Sequence, residues 1–443
     1  MLWPLVAFGG RSASVAIPFS VACLLFAIAV RPVVGRSGAS RWLDCALIAL
    51  AIFPLLQTIP LPRILTAAIS PHSVTFRAGL TLDPTGVPAW LPLSIAPRST
   101  LWASLITIGA VSLFFAARTI FAYGGVRQTV RGVSSIGFVI SFVAMAQAAT
   151  AGRLIYWRFP TEYEGPFPFG PFVNRNHFAT WTIMAVPLCL GYIAARANRM
   201  AASRAAAGHR RARIARLADG RSLWLTAAGA GMIAALLLSL SRSGIVSLAG
   251  AAAFSALYFR PRTADRRGLW LVVAVVVTIG LGITRADLPA VADRFTSTGS
   301  SVGNRIRIWK ETVPVVRDFW LAGTGAGTYR TSMLYYQRSE RVVQFNQAHN
   351  HYLQLVAEGG LIMAACLAVA LVGLRRAVRE RLSTDVQGAY WIRAGAGAGL
   401  FAVGLQSMWE TGLVMPANAA LAAVLAAIAV HERLPAEKSI FMD

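Results

Sequence analysis

Residues 348–373 read AHNHYLQLVAEGGLIMAACLAVALVG. From Tyr352 onward the run holds a single charged side chain, Glu358, and is as long as the roughly 20 residues a bilayer-spanning helix needs. Its entrance is polar, with His349, Asn350, His351 and Gln354 ahead of Glu358. Helical spacing places His351, Gln354 and Glu358 at i, i+3 and i+7 on one face, with Glu358 about 10 Å along the axis from His351. A carboxylate at that depth is costly beside lipid and points to the protein interior or to a water-filled cavity. Helix capping explains one polar residue here, but not five.

Composition extends this reading to the whole chain. Of 443 residues, 56% are hydrophobic and 14% charged, well under the roughly 25% charged residues of a soluble protein. Apolar runs fall near 14–30, 42–60, 100–121, 132–150, 176–195, 222–240, 243–259, 268–284, 352–373, 392–408 and 416–431. The expected fold is therefore all-α: one integral membrane domain over 1–443, a polytopic bundle of about 11–12 spanning helices. The four cysteines (Cys23, Cys45, Cys189, Cys366) lie inside apolar runs and read as small hydrophobes, with no disulfide framework. The first long apolar run reads as a span and not as a cleavable signal.

The net charge of +24 raises the question of nucleic acid, and its distribution excludes it. Lysine occurs only at Lys310 and Lys438, and the arginines gather in short loops between apolar runs. The loops with Arg31, Arg36 and Arg41, with Arg118, Arg127 and Arg131, from Arg196 to Arg221, from Arg260 to Arg267, and from Arg375 to Arg381 alternate along the chain, as cytoplasmic loops do. The segments 61–99, 151–175, 241–243 and 285–350 then face outward. The last is a large loop with short helices, basic for its side of the membrane. Anionic lipid headgroups would account for that charge, and so would a phosphate ligand, which arginine binds through paired hydrogen bonds. Within it, Ile306, Trp309, Val313 and Val316 form an apolar stripe at helical spacing. They predict a short helix on the membrane surface or capping the bundle, kinked or divided at Pro314.

Three further strings place polar groups at outward-facing helix mouths. GPFVNRNHFATW, at 170–181, brings Asn174, Arg175, Asn176 and His177, which also suit an ordinary helix start with a snorkelling arginine. SLSRSGIV, at 238–245, holds Arg242 in a hairpin too short to leave the membrane interface, where arginine is costly. Arg305 and Trp309 precede LAGTGAGTY, at 321–329. That glycine-rich string lacks a full GxGxxG and does not follow a strand in a βαβ unit, so it reads as a tight turn returning the loop over the bundle. No metal motif is present; Glu162 and Glu164 read as a solvated loop face.

Together FVNRNHFA, LSRSG, NRIRIW, DFWLAGTGAGTY, the His349–Asn350 pair and Gly360, with WLPLSIAPRSTLWA at 90–103, resemble the O-antigen ligase and Wzy-type O-antigen polymerase superfamily over roughly residues 90–375. That resemblance implies a GT-C-like membrane glycosyltransferase, inverting and metal-independent, with no cofactor. Its donor would be a glycan on polyprenyl (undecaprenyl) diphosphate at the periplasmic face of the bacterial inner membrane. Its acceptor would be lipid A-core for a ligase or another lipid-linked glycan for a polymerase. Met363 stands where ligases often carry a small or hydroxylated residue, and ligation and polymerisation both stay open.

The chemistry fits those partners. A sugar hydroxyl needs a base, which neutral histidine supplies near neutral pH, and a departing diphosphate needs fixed cations. His349, at the family's position, is the expected base, with Arg242 and Arg305 as catalytic cations. Arg175, Asn174, Asn350, His351, Gln354, Arg307 and His177 are expected to line the substrate site. A transporter would favour charges at mid-membrane, broken helices and internal repeats, whereas here the polar clusters collect on one side.

Overall fold

The computed structural model describes residues 2–32, 34–35, 37–80, 88–151, 153–160, 168–207, 220–259, 298–339, 344–385 and 387–432. Among these the helices are α1 (Leu2–Val6), α2 (Ala13–Val30), α3 (Gly38–Leu56), α4 (Arg63–Ile69), α5 (Pro71–Leu80), α6 (Pro97–Tyr123), α7 (Val126–Thr150), α8 (Arg175–Ala207), α9 (Gly220–Leu238), α10 (Arg242–Tyr258), α11 (Thr298–Asp318), α12 (Tyr329–Tyr336), α13 (His351–Thr384), α14 (Gln387–Gln406) and α15 (Pro416–Val430). Two short antiparallel pairs join them, β1 (Pro60–Pro62) with β2 (Trp90–Pro92) and β3 (Leu154–Ile155) with β4 (Phe159–Pro160).

The chain is an all-α polytopic membrane protein. Among the described residues seven helices, α2, α3, α6, α7, α8, α9 and α13, are long and apolar enough to cross a bilayer. Helices α10, α14 and α15 occupy three more of the expected runs. The run at 268–284, the arginines from 260 to 267 and the Glu162/Glu164 pair lie outside the described residues.

Helix α8 is the axis of the bundle. Of its most apolar window 83% is buried, against 28–39% for the other six spans, and Phe178, Trp181, Ile183, Met184 and Leu188 are sealed inside. Lipid gives helices no hydrophobic reason to associate, so close backbone packing through small residues takes over. Helix α14 crosses α8 in that way. A Cβ on Gly191 would lie 2.4 Å from the Trp391 carbonyl oxygen, and one on Gly395 2.4 Å from that of Pro187. On another side, the buried guanidinium of Arg118 (α6) grips Asp44 (α3), with Nη2 2.9 Å from Oδ2. Such a charge is tolerated at this depth because it is paired.

Helix α13 is not continuous. It breaks at Gly360, whose φ of 61° and ψ of −160° are not helical. The 320–322 loop packs into the break: Leu361 N donates to Trp320 O at 2.7 Å and Ile362 N to Leu321 O at 3.3 Å. The loop thereby satisfies amides that a break would leave unpaired. A Cβ at Gly360 would stand 2.3 Å from Leu321 O. Gly360→Ala is therefore expected to destabilise the fold by more than about 3 kcal/mol, combining a backbone region almost reserved for glycine with a clash against main chain. Thermal unfolding in detergent, with the yield of folded protein, measures it.

Helix α11 bears out part of what its sequence predicts. Ile308, Thr312, Val315 and, just past its end, Phe319 are buried; of the expected stripe, Trp309 and Val316 are partly buried against the same core, while Ile306 and Val313 are exposed. Both stripes have helical spacing. The choice is made by the partners Phe76, Tyr329 and Met333, which join Ile308, Val315 and Phe319 in one small core. The helix also runs through Pro314 without division. The carbonyl that proline leaves unbonded is that of Lys310, on an exposed turn that water can reach.

Candidate active site

Helix starts α8 and α10, helix α11, the 344–350 segment and the hairpin at 407–415 meet at one end of the bundle. Their common point is Glu410, in the hairpin between α14 and α15 and only 2% exposed. Its Oε1 pairs with Arg305 Nη2 and accepts a 2.8 Å hydrogen bond from Asn176 Nδ2. Its Oε2 lies 3.9 Å from His349 Nδ1. That is beyond hydrogen-bond reach, and His349 Nδ1 is buried with no hydrogen-bond partner among the described residues. The ring as a whole is a third exposed.

His349 sits in left-handed backbone, φ 49°, uncommon for a side chain with a Cβ. Its neighbours hold it there. Ala348 is sealed: its N–H goes to Gln354 Oε1 at 3.1 Å and its carbonyl accepts from Trp309 Nε1 at 2.9 Å. Gln347 Oε1 accepts from Thr411 Oγ1 at 2.6 Å. Asn350 caps α13, its side chain accepting from Leu353 N at 3.0 Å, and His351 N donates to Ser407 O at 2.8 Å. Strain held on every side in this way is a mark of functional positions. Arg305 and Trp309, one helical turn apart on α11, divide the work: Trp309 anchors the histidine turn and Arg305 reaches Glu410.

The serine pair around Arg242 belongs to the same network. Ser241 caps α10 and donates to Asn176 Oδ1 at 2.8 Å, while Ser243 Oγ accepts from Gln406 Nε2 at 3.3 Å. Arg242, between them, is the first residue of α10. At the start of α8, Asn174 Oδ1 accepts from Asn176 N at 2.8 Å, and Arg175, half-buried, opens the helix. His177 is buried; its carbonyl accepts from Asn418 Nδ2 at 3.1 Å, which also donates to Gly412 O at 2.9 Å and so ties α8 to the Glu410 hairpin.

Arg307 and Gln354, also expected at the site, make no direct contact with Glu410 among the described residues. Arg307 is exposed on α11, and a spacing of two residues turns it about 200° from Arg305. Gln354 Nε2 donates to Glu358 Oε1 at 3.2 Å. Glu358 in turn accepts from Gly327 N at 2.8 Å and Tyr329 N at 3.1 Å. The glycine-rich string is thus a turn clasped onto the N-terminal end of α13, with Gly323, Gly325 and Gly327 at positive φ. Gln57 locks it from the other side, donating to Ala322 O at 2.7 Å and accepting from Ala326 N at 3.0 Å. Glu358 braces this turn.

Glu410 and Gln57 are among the residues of the network that escaped the sequence reading. Glu410 stands in WETG, between two apolar runs; its one signal is a carboxylate in a short inter-helix hairpin. Gln57 ends an apolar run with no pattern around it. Among the described residues no group of three or more His, Cys, Asp or Glu side chains is arranged to hold a metal ion.

Residues 227–368 match the Wzy_C sequence family, described as O-Antigen ligase. The matched stretch is similar to O-antigen ligases over about a third of the chain. It runs from within α9 to within α13, taking in Arg242, Arg305, His349 and the Gly360 break. Asn176 and Glu410 lie outside it. No curated protein matches the chain.

Proposed function

We propose that the Glu410 cluster transfers a glycan from a polyprenyl diphosphate carrier to a sugar hydroxyl, as an O-antigen ligase whose acceptor is lipid A-core. The observation that carries this reading is the meeting of His349 and Arg305 on the buried Glu410 carboxylate, in a membrane protein whose residues 227–368 match the O-antigen ligase family model. In this reading the site faces the periplasm at the inner membrane, and the 285–350 segment is a periplasmic loop over it. The diphosphate rests at headgroup depth with its prenyl chain in hydrocarbon.

The step is a single displacement. The acceptor oxygen attacks the anomeric carbon, the bond from that carbon to the diphosphate oxygen breaks, and the configuration inverts. His349 takes the hydroxyl proton. Its Nδ1 side faces Glu410, so Nδ1 holds the proton and Nε2 is the basic nitrogen toward the acceptor, the carboxylate stabilising the imidazolium that forms. Polyprenyl diphosphate leaves with the electron pair, its charge met by Arg305, Arg242 and Arg175. These cations take the part a metal ion plays elsewhere. His177, His351, Asn174 and Asn350 shape the walls. Wzy-type polymerisation is the same chemistry with a lipid-linked glycan as acceptor.

A deletion strain complemented with wild type or with Arg242→Ala separates the outcomes. Full-length glycan left on the carrier beside bare lipid A-core is the result expected of a ligase. Core capped by a single repeat would assign a polymerase. Normal surface glycan from Arg242→Ala, at normal protein level, would remove the arginine from the chemistry.

A further inference from the structure

A chain of hydrogen bonds with a fixed direction ends at the His349 turn. Glu358, on α13, accepts from Gly327 N at 2.8 Å, Tyr329 N at 3.1 Å and Gln354 Nε2 at 3.2 Å. Gln354, one helical turn earlier, accepts through Oε1 from Ala348 N at 3.1 Å. A carboxylate only accepts, while an amide side chain donates from one end and accepts at the other. Glu358 therefore holds Nε2 toward itself and leaves Oε1 facing Ala348 N. Turned over, the amide would set N–H against N–H at Ala348 and oxygen against oxygen at Glu358.

What the chain holds is the residue before the histidine. Ala348 is fully buried, and its carbonyl is taken by Trp309 Nε1 at 2.9 Å. Beyond the histidine, Asn350 caps α13 and His351 N donates to Ser407 O at 2.8 Å. His349, at φ 49°, thus stands between backbone groups fixed on both sides. Gln354 ties this turn to the glycine-rich string, which is itself fastened elsewhere: Ile95 N donates to Thr324 O at 2.8 Å, and Gln57 Nε2 donates to Glu358 O at 3.0 Å. Bracing the string calls for acceptors to the amides of Gly327 and Tyr329. It does not call for a third bond, to a glutamine whose other end reaches the histidine turn.

We propose that Glu358, acting through Gln354, positions His349 for the transfer: the pair fixes the Ala348 peptide and with it the direction of the imidazole. Both are positioning residues that work through the backbone, and neither touches substrate. The inference rests on the reading of His349 as the base.

The test uses the purified full chain, a polyprenyl diphosphate glycan and a lipid A-core or lipid-linked glycan acceptor, together with hydrogen exchange at the Ala348 amide. Gln354→Met keeps the length and bulk of the side chain and removes both of its bonds. It is expected to lower kcat per folded molecule about 10²-fold, the scale of a reacting group displaced by about 1 Å, and to leave KM for the acceptor unchanged. It is also expected to speed Ala348 exchange about tenfold or more, through local opening. The swap Gln354→Glu/Glu358→Gln again presents an acceptor to Ala348 N and a donor between the two positions, and is expected to restore slow exchange and most of kcat. Unchanged kcat per folded molecule in Gln354→Met would overturn the proposal. A lower kcat with unchanged Ala348 exchange, or a raised acceptor KM, would also overturn it and place Gln354 against substrate. If Gln354→Met does not fold, Glu358→Gln decides: faster Ala348 exchange with a kcat about tenfold lower is expected, and unchanged values would overturn the proposal. Absence of transfer by wild type would instead remove the base itself, and the proposal with it.

Discussion

Replacing His349 by alanine is expected to lower glycan transfer by about 10²–10⁴-fold, the range for loss of a positioned general base, while folded protein stays near wild-type level. The separation of the two effects follows from the geometry. The imidazole is a third exposed, and its Nδ1 makes no hydrogen bond among the described residues, so its removal leaves little packing undone. Relief of the left-handed backbone at position 349 would not come with alanine, which also carries a Cβ. The protein would keep the strain and lose the base. Glycan retained on its carrier, against the amount of membrane-inserted protein, is the measurement.

Arg305→Ala is expected to cost transfer about 10²–10³-fold, as loss of one fixed donor to developing charge does, and to destabilise the protein as well. Glu410 is 2% exposed, and removing its cation leaves a buried carboxylate with Asn176 as its remaining direct hydrogen-bond donor among the described residues. An unpaired buried charge is the costly half of such a pair. The two losses separate in a double variant. Arg305→Ala/Glu410→Gln is expected to recover most of the thermal stability, because the buried charge has gone, and none of the transfer. If transfer recovers along with stability, Arg305 acts by holding the fold and the diphosphate has another partner.

The membrane architecture was legible because a bilayer constrains length and polarity together. Runs such as 100–121 and 132–150 correspond to α6 and α7. The helix mouths were legible too, since polar side chains at the start of a span need a reason. The break in α13 was harder: the pair Gly359–Gly360 lies inside an apolar run, and what opens the helix is the loop backbone from Trp320 to Leu321, distant in sequence. Helix α11 shows a second limit. Two apolar stripes overlap in its sequence, and which members of each pack depends on Phe76 and Tyr329, not on periodicity. Glu410 shows a third. It lies 105 residues from Arg305, and no spacing rule links a hairpin carboxylate to a partner at that distance. Gln354, expected to line the substrate site, bonds Ala348 N beside His349 and also Glu358, which accepts from the glycine-rich loop.

The most direct test of the central claim is made with purified protein, a polyprenyl diphosphate glycan of defined anomeric configuration and lipid A-core. The expected result is a glycosidic bond of inverted configuration, one polyprenyl diphosphate released for each bond made, and no comparable product with His349→Ala. Transfer with retained configuration, or equal transfer by wild type and His349→Ala, would contradict it.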